Sequence, residues 1–469
     1  MNKLTKNYLF SISYQILLIV VPLITTPHLS RTLGPEGIGI YSYTATITMY
    51  FSLIGFLGIM NYGNRQIAQN KSSKKILSAT FSEIYSFQIY SFFIIIIIYI
   101  FYAVFFSSFK IIMVVWLFQL LAAALDITWF YFGIEKFNIA ITRNIIVKIL
   151  SVILIFVLVR DSSNLVVYIA ILSFGTLFSQ IFLWLYLPKF AIFKLVSIRS
   201  IRSHFKPLMI LFVPIIAVSI YTIFGKLILG AFIGFSDTGV FENSLKIMSL
   251  PTGVITALGV VMLPRATSLV KENNHEELDV FTKKSIDWSL YLSIGMTFGL
   301  ILIAPQVIPI FLGEGFENSV LIVSILSISI PFISIANVFR TQYILPYEKD
   351  KIYVKSVIFG AITNLLIIFS FVKWLGIVGV ALGVVASEFV VFTYQYFHVR
   401  EVYQVKKMAI KSILFILSGL SMLLVIQKLD VLFDNILVLI FMQIFLGFIV
   451  YSVFSMVLVK VLSKSIIHN

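Results

Sequence analysis

The feature that most constrains this chain is a series of apolar runs, each about 20 residues long, that recur along its whole length. A helix rises about 1.5 Å per residue, so one such run covers the roughly 30 Å of a bilayer's hydrocarbon core. Only 12% of the 469 residues are charged and the mean hydropathy is +1.03, whereas about a quarter of a soluble domain is charged. Strands of a membrane barrel would be shorter and would alternate apolar with polar residues. The pattern therefore predicts an all-α polytopic membrane protein.

We expect about fourteen transmembrane helices and no soluble domain. The candidate spans cover residues 9–29, 39–59, 79–106, 111–133, 144–159, 165–187, 207–233, 238–263, 286–312, 318–339, 352–372, 375–397, 409–427 and 434–459. The first run is too long for a signal-peptide core and lacks a small-residue cleavage site, so we interpret it as a span. No connecting loop is long enough for an extramembrane catalytic domain.

The positions of the basic residues predict the orientation of the chain. With the N-terminus inside, 28 of the 35 Lys and Arg residues fall on inner segments, as the positive-inside rule requires. Both termini are then cytoplasmic, and the protein belongs in a bacterial cytoplasmic (inner) membrane. The net charge of +15 follows from this sorting, so nucleic acid is not an expected partner.

Two segments of the sequence repeat. A shift of 200 residues aligns Gly34 with Gly234, Gly39 with Gly239 and Arg65 with Arg265, without a gap. A second shift, of 213 residues, sets 133–136 against 346–349. Six helices separate the copies, so the halves share one orientation, as in transporters built from parallel repeats. We predict two six-helix lobes, 1–205 and 206–400, followed by two further helices in 401–469.

Two lysines lie inside predicted spans. A charged side chain at the centre of a span costs at least roughly 2.5 kcal/mol, so each needs a partner, a hydrated cavity or a route to the interface. Lys226 and Lys246 each lie about ten residues from the outer turn near Ser236, and we expect a cationic binding spot near the midplane. An equally good interpretation of Lys246 is an ion pair with Glu242, one turn earlier on the same helix.

The remaining candidates are acids within spans and arginines at span ends. Glu388 falls near the middle of helix 12 and is a candidate for proton or cation coupling, whereas Asp126 in helix 4 is expected to pair with a basic residue. Arg31, Arg65 and Arg265 could capture a phosphate with their planar donor sets or snorkel to lipid headgroups. The chain has no cysteine and its five histidines are scattered, so no metal site, catalytic residue or cofactor is expected.

Two segments resemble a known family. The segment RTLGPEGIGIY, from Arg31 to Tyr41, joins the first two helices, and FGIEK, from Phe132 to Lys136, follows helix 4. Both resemble the polysaccharide transporter family, the Wzx-type flippases of O-antigen and capsule repeat units. The likeness in architecture extends over residues 1–400.

This resemblance implies the two-lobed fold of the multidrug and toxin extruders, a central cationic cavity and no enzymatic activity. The implied cargo is an undecaprenyl-pyrophosphate-linked oligosaccharide, moved by alternating access from the cytoplasmic to the outer leaflet. The implied partners are this cargo, membrane lipids and polysaccharide polymerase or assembly proteins. The family's cavity cations vary in position, so the residues named above rest on depth and repeat alone.

Three other functions are open at this stage. A lipid II flippase would share the fold and the anionic cargo. A multidrug or cation antiporter should carry acids in its cavity, and Lys226 and Lys246 argue against it. A polyprenyl-dependent polymerase or ligase usually needs a large outer loop with catalytic arginines or histidines, and the outer loop at 313–318 is short and acidic.

Overall fold

The computed structural model describes residues 3–400 and 405–466, and in these residues it contains helices and no strand. The two chain ends, expected to be cytoplasmic, lie outside the described residues. The helices are α1 Lys3–Phe56, α2 Ile59–Gln69, α3 Lys74–Phe105, α4 Lys110–Ala124, α5 Thr128–Gly133, α6 Phe137–Leu158, α7 Leu165–Tyr186, α8 Ile198–Phe232, α9 Phe235–Lys271, α10 His275–Leu312, α11 Asn318–Ser327, α12 Ile330–Phe339, α13 Asp350–Leu375, α14 Ile377–Val399, α15 Val405–Ile426 and α16 Ile436–Ile466.

The predicted spans correspond to these helices. Thirteen segments of the described chain are long and apolar enough to cross a membrane. The first of them runs from Val20 to Gln69, about 75 Å of helix, which is far more than one crossing needs. It contains Gly34, whose φ of 66° and ψ of 176° break α1 into two helices. The segments 3–33 and 35–56 are each long enough to span, and together with the other twelve they give fourteen.

The outer faces of these helices are apolar. Ile111, Leu185 and Trp374 are 72%, 71% and 86% exposed, and dozens of other large apolar side chains are exposed with them. Soluble proteins rarely expose such large contiguous apolar surfaces. The chain is therefore a multi-pass membrane protein, and these faces contact lipid.

The helices form two compact units. One comprises Met1–Ser219 with Lys226–Gly239, and the other comprises Ile220–Gly225 with Val240–Asn469. The first has an aromatic core in which the rings of Phe81, Trp129 and Tyr131 are fully buried. In the second, α15 and α16 pack against α10, where the Tyr451 hydroxyl donates to the Tyr291 carbonyl over 2.8 Å. The lobe boundaries at 205 and 400 stay a prediction.

The backbone has positive φ at positions that the sequence repeat pairs, and the conformation is the same in the second of the two pairs. Gly34 and Gly234 both have positive φ, 66° and 155°. Glu135 and Glu348 both adopt left-handed φ, 58° and 54°, which is uncommon for residues other than glycine. The amide that follows each glutamate donates to a carbonyl five residues earlier, over 2.9 Å to Tyr131 and 2.8 Å to Ile344.

The aligned glycines Gly39 and Gly239 allow a close backbone contact inside the first unit. A Cβ atom on Gly39 would lie 1.7 Å from the Phe235 carbonyl oxygen, and one on Gly239 would lie 1.9 Å from the Pro35 oxygen. Any side chain would therefore force the segments 35–39 and 235–239 apart. The glycines that carry the repeat are required by this crossing.

Candidate functional site

A polar cluster interrupts the fourth span in the first unit, where α4 ends at Ala124 and α5 begins at Thr128. An Asp126 oxygen accepts from the Thr128 amide over 2.8 Å. The Arg143 guanidinium is only 5% exposed and donates to the Gln180 side chain over 2.9 Å. The side chains of Arg143, Thr128 and Gln180 all interact with the Asp126 carboxyl. The expected pairing of Asp126 with a basic residue stays a prediction, although the Arg143 charge acts on its carboxyl. We name these four residues the Asp126 cluster.

One glutamine bonds three of the backbone carbonyls at this break. Gln88 is fully buried in α3, and its amide nitrogen donates to the carbonyls of Ala123, Ala124 and Asp126. Its oxygen accepts from the Trp129 indole over 3.0 Å. Unpaired carbonyls within a bilayer cost several kcal/mol each, so Gln88 makes the helix break tolerable at this depth.

The Asp126 cluster borders a cavity of about 300 Å³. Polar side chains from α1, α4 and α7 line it together with Asp126: Thr48, Ser52, Gln119, Thr176 and Gln180. Discontinuous helices with polar groups near the midplane are typical of substrate and ion sites in transporters. Apolar side chains, among them Met49, Phe56 and Trp116, line the rest of the cavity, which thus combines hydrogen-bonding groups with an apolar wall.

A second polar cluster lies in the second unit around Glu388, which is half-buried at the middle of α14. The Arg340 guanidinium acts electrostatically on the Glu388 carboxyl and on Tyr221 of α8. It donates to the Asn337 side chain over 2.7 Å and stacks 5.6 Å from the Tyr353 ring. Glu388 is therefore not the lone acid that the sequence suggested, and we name this group the Glu388 cluster.

Arg340 opens a π-helical turn, Arg340–Ile344, which continues α12 beyond Phe339. Turns of this kind are rare and frequently mark functional sites. Helical side chains tilt toward the N-terminus of their helix, and the bond to Asn337, three residues earlier, shows this direction. The turn therefore extends the helix and aims the guanidinium back into the span.

The two halves differ in charge at one equivalent position. In the first, Arg143 of α6 contacts Gln180 of α7; in the second, Ser356 of α13 accepts from Gln395 of α14 over 3.0 Å. Both glutamines are buried, 5% and 1% exposed. Arginine in one half thus corresponds to serine in the other, so at this position only the first half carries a charge.

The two predicted lysines lie inside helices, as expected, on either side of a turn at Gly234. Lys226 is half-buried in α8, about 12 Å along the helix from that turn, and Lys246 lies in α9, about 18 Å from it. The Lys246 ammonium is 3.5 Å from Glu242, whose side chain is 11% exposed. The intrahelical pair considered for Lys246 is therefore present.

The three arginines at span ends are exposed. Arg31 lies just before the break in α1, and Arg65 lies in α2. Arg265, in α9, forms an ion pair with Glu277 of α10. Their predicted capture of phosphate stays a prediction.

Sequence reasoning missed cations inside helices. The 28 basic residues assigned to inner segments include Arg143 and Lys148, but α6 begins at Phe137, so both lie within this span. Lys148 is the twelfth of its 22 residues and is half-buried on one face with Asn144 and Ser151. This polar stripe, spaced at four and three residues, was the available signal.

The comparisons with known proteins give the family. Residues 4–270 match the profile of the family described as polysaccharide biosynthesis protein, which is more than half of the chain. The chain belongs to this family. It is 26% identical over 396 residues to a putative O-antigen transporter of Escherichia coli (strain K12), covering 81% of this chain and 93% of that protein. It is also 23% identical over 262 residues to the capsular polysaccharide biosynthesis protein CapF of Staphylococcus aureus, covering 54% and 65%.

Solved structures share the fold of this family member. The lipid II flippase MurJ, in an inward closed conformation, superposes with a TM-score of 0.77 at 17% identity, covering 97% of this chain and 99% of that one. An inward-facing multidrug transporter of the MATE family superposes with a TM-score of 0.63 at 14% identity, covering 84% and 95%. The predicted fold class is confirmed by these structures, and the predicted membership of the polysaccharide transporter family, the Wzx-type transporters, is confirmed by the family match and the relatives.

Proposed function

We propose that this protein moves a lipid-linked oligosaccharide repeat unit across the inner membrane for the synthesis of a surface polysaccharide, O-antigen or capsule. The observation that carries the proposal is the 26% identity over 93% of a putative O-antigen transporter. The Escherichia coli relative is a putative transporter by name, and the protein is proposed to act as a transporter and not as an enzyme.

The cargo we propose is an undecaprenyl-pyrophosphate-linked oligosaccharide, which travels by alternating access from the cytoplasmic to the outer leaflet. A pyrophosphate cannot cross hydrocarbon without compensating charge. Arg143, Arg340, Lys226 and Lys246 supply fixed positive charge inside spans, and arginine in particular matches phosphate with paired donors. The polyprenyl tail stays in lipid throughout.

The coupling group in this scheme is Glu388, which would exchange a proton or cation as the protein changes conformation. Its support is its position in mid-span beside Arg340. Protonation of the carboxyl would leave the guanidinium to a cargo phosphate, and ionisation would compete with that phosphate.

Proteoliposomes test the proposal directly. A fluorescent undecaprenyl-pyrophosphate oligosaccharide is placed in both leaflets, and a membrane-impermeant reagent reports the outer fraction over time. We expect fast exchange with the native protein and at least about tenfold slower exchange with Lys226→Ala/Lys246→Ala, because two cations leave the path. Lys373→Ala, at the exposed end of α13, is the matched control and should exchange normally.

The variant Glu242→Gln separates cargo binding from ion pairing at Lys246. If Lys246 binds cargo, removing its intrahelical partner should leave exchange intact. If Lys246 only pairs with Glu242, the single variants Glu242→Gln and Lys246→Ala should slow exchange equally. Native exchange in the double lysine variant would remove both lysines from the mechanism.

A lipid II flippase is the second candidate, and the TM-score of 0.77 with MurJ favours it on fold alone. Cells depleted of their own lipid II flippase distinguish the two. On the primary proposal this protein does not restore their growth, whereas it restores polysaccharide in cells that lack their repeat-unit flippase. The opposite pattern would establish the second candidate.

A further inference from the structure

We propose that a groove at the start of α8 binds the headgroup phosphate of an anionic phospholipid. The groove has a volume of about 590 Å³ and lies between α3 and the first three turns of α8. Its walls carry three cations and three apolar side chains that the argument uses: Arg199, Arg202, Lys206, Ile198, Phe205 and Phe87. We name it the α8 groove.

The three cations of the α8 groove point from one side of the helix. Arg199, Arg202 and Lys206 are spaced by three and four residues, which places them on one face. All three are exposed, and the first turn of α8 contains no acid. Cations near a helix N-terminus oppose the helix dipole, so this arrangement is unfavourable for the helix itself. An external anion would reverse the sign of that interaction.

Exposed apolar side chains lie next to these cations in the groove. Ile198 and Phe205 are 68% and 52% exposed, and the Phe205 ring lies 6.5 Å from the ring of Phe87 in α3. An acyl chain would cover these side chains while its phosphate meets the cations beside them. Amphipathic surfaces of this kind bind anionic lipid through buried apolar area together with charge. A soluble polyanion would leave the apolar wall in water.

Hydrogen bonds join α3 to the segment that leads into α8. Three serines on successive turns of α3, Ser78, Ser82 and Ser86, accept from the backbone amides of residues 192, 194 and 196 over 3.0 to 3.1 Å. This extended segment ends at Ser197, where α8 begins. The serines therefore fix the start of α8 against the same helix that supplies Phe87.

The buried side of α8 is fixed as well. Ile201 and Leu208 are 5% and 0% exposed, and His204 lies between them on this face. The His204 ring bonds the Tyr62 hydroxyl over 2.7 Å and Glu83 over 3.2 Å. Glu83 is thus held by His204, and the lining of the groove contains no acid.

A second basic group provides a matched control, because positive charge alone attracts anionic membranes. Lys71, Lys74 and Lys75 are exposed at the turn between α2 and α3. Lys71 pairs with Glu135 over 2.6 Å, and Lys74 contacts the Pro188 carbonyl. These lysines carry the same total charge as the cations of the α8 groove, but they are not part of its lining.

Native mass spectrometry of the full-length protein in detergent tests the assignment. The probe is dioleoyl-phosphatidylglycerol, with dioleoyl-phosphatidylcholine as the neutral comparison. We expect one phosphatidylglycerol to be retained, and at least about tenfold weaker retention in Arg199→Gln/Arg202→Gln/Lys206→Gln. Phe205→Ala should weaken it about threefold, and Lys71→Gln/Lys74→Gln/Lys75→Gln should change it less than twofold.

Three results would overturn the proposal: equal loss in the two triple variants, equal retention of the neutral lipid, or displacement of phosphatidylglycerol by millimolar inorganic phosphate. Circular dichroism and melting of each variant show whether it is folded. If Arg199→Gln/Arg202→Gln/Lys206→Gln does not fold, the retention of lipid by Phe205→Ala and the comparison of phosphatidylglycerol with phosphatidylcholine still test the proposal. The readout requires no transport, so its failure would leave the proposed function untouched.

Discussion

Among single residues, the charged ones inside the spans matter most, and the Glu388 cluster is the clearest example. An acid and a guanidinium in a bilayer stabilise each other, because each alone would carry a large desolvation cost. Arg340 is further held by Asn337 and Tyr353. Loss of Arg340 alone should therefore destabilise the protein more than loss of Arg340 and Glu388 together.

The variant Arg340→Gln should lower the free energy of unfolding by roughly 1–3 kcal/mol, since it removes the hydrogen bond to Asn337, the stacking on Tyr353 and the charge that acts on Glu388. Arg340→Gln/Glu388→Gln should recover at least half of that loss. Thermal melting of the purified variants in detergent provides the comparison. The single variant Glu388→Gln completes the comparison. If the destabilisation of the double variant equals the sum of those of the two single variants, the two groups are not coupled.

Charged residues inside the spans can be predicted only partly from the sequence. Glu388 stands out in the sequence because it interrupts an apolar run of nearly constant composition. Arg340 does not, because the apolar run ends at Phe339 while the helix continues through the π-helical turn. Hydropathy measures the apolar part of a helix, and cations just beyond that part are assigned to loops.

At the scale of elements, glycine determines how closely helices approach. Gly39 and Gly239 meet the backbone of the opposite segment at distances that exclude a Cβ atom. The sequence repeat located these glycines correctly. It could not show that they cross each other, because a repeat in sequence contains no distance.

The variants Gly39→Ala and Gly239→Ala should each reduce the melting temperature and the yield of folded protein, because overpacking typically costs 1–3 kcal/mol and here the obstacle is a backbone carbonyl. Gly299→Ala is the matched control, since nothing lies within 4 Å of its Cβ position in α10. Alanine favours a helix by about 1 kcal/mol over glycine, so the control should melt at the same temperature or higher. Equal melting of all three variants would contradict the crossing.

At the scale of the whole molecule, the number of spans was the most predictable property. Lipid offers the backbone no hydrogen bonds, so a chain crosses it only as helices or as a closed barrel, and hydropathy locates helices of the required length. The polar contacts that stabilise irregular segments of the chain could not be predicted from the sequence. The serine ladder on α3 and the Gln88 contacts at the α4 break depend on segments distant in sequence.

The predicted orientation can be tested with single cysteines, because the native chain has none. Glu314→Cys lies between α10 and α11, and Lys71→Cys lies between α2 and α3. If both termini are cytoplasmic, a membrane-impermeant maleimide added to intact cells should label Glu314→Cys and spare Lys71→Cys. Permeabilised cells should show both labelled, and the reverse pattern in intact cells would invert the topology.

The most direct test of the transport proposal is the leaflet in which polyprenyl-linked intermediates accumulate when the gene is deleted. Mass spectrometry gives the amount of the unpolymerised repeat unit, and an impermeant enzyme or reagent gives its leaflet. The account predicts that a single repeat unit accumulates on the cytoplasmic face and that the native gene reverses this. An unchanged pool of intermediates, with surface polysaccharide intact, would contradict it.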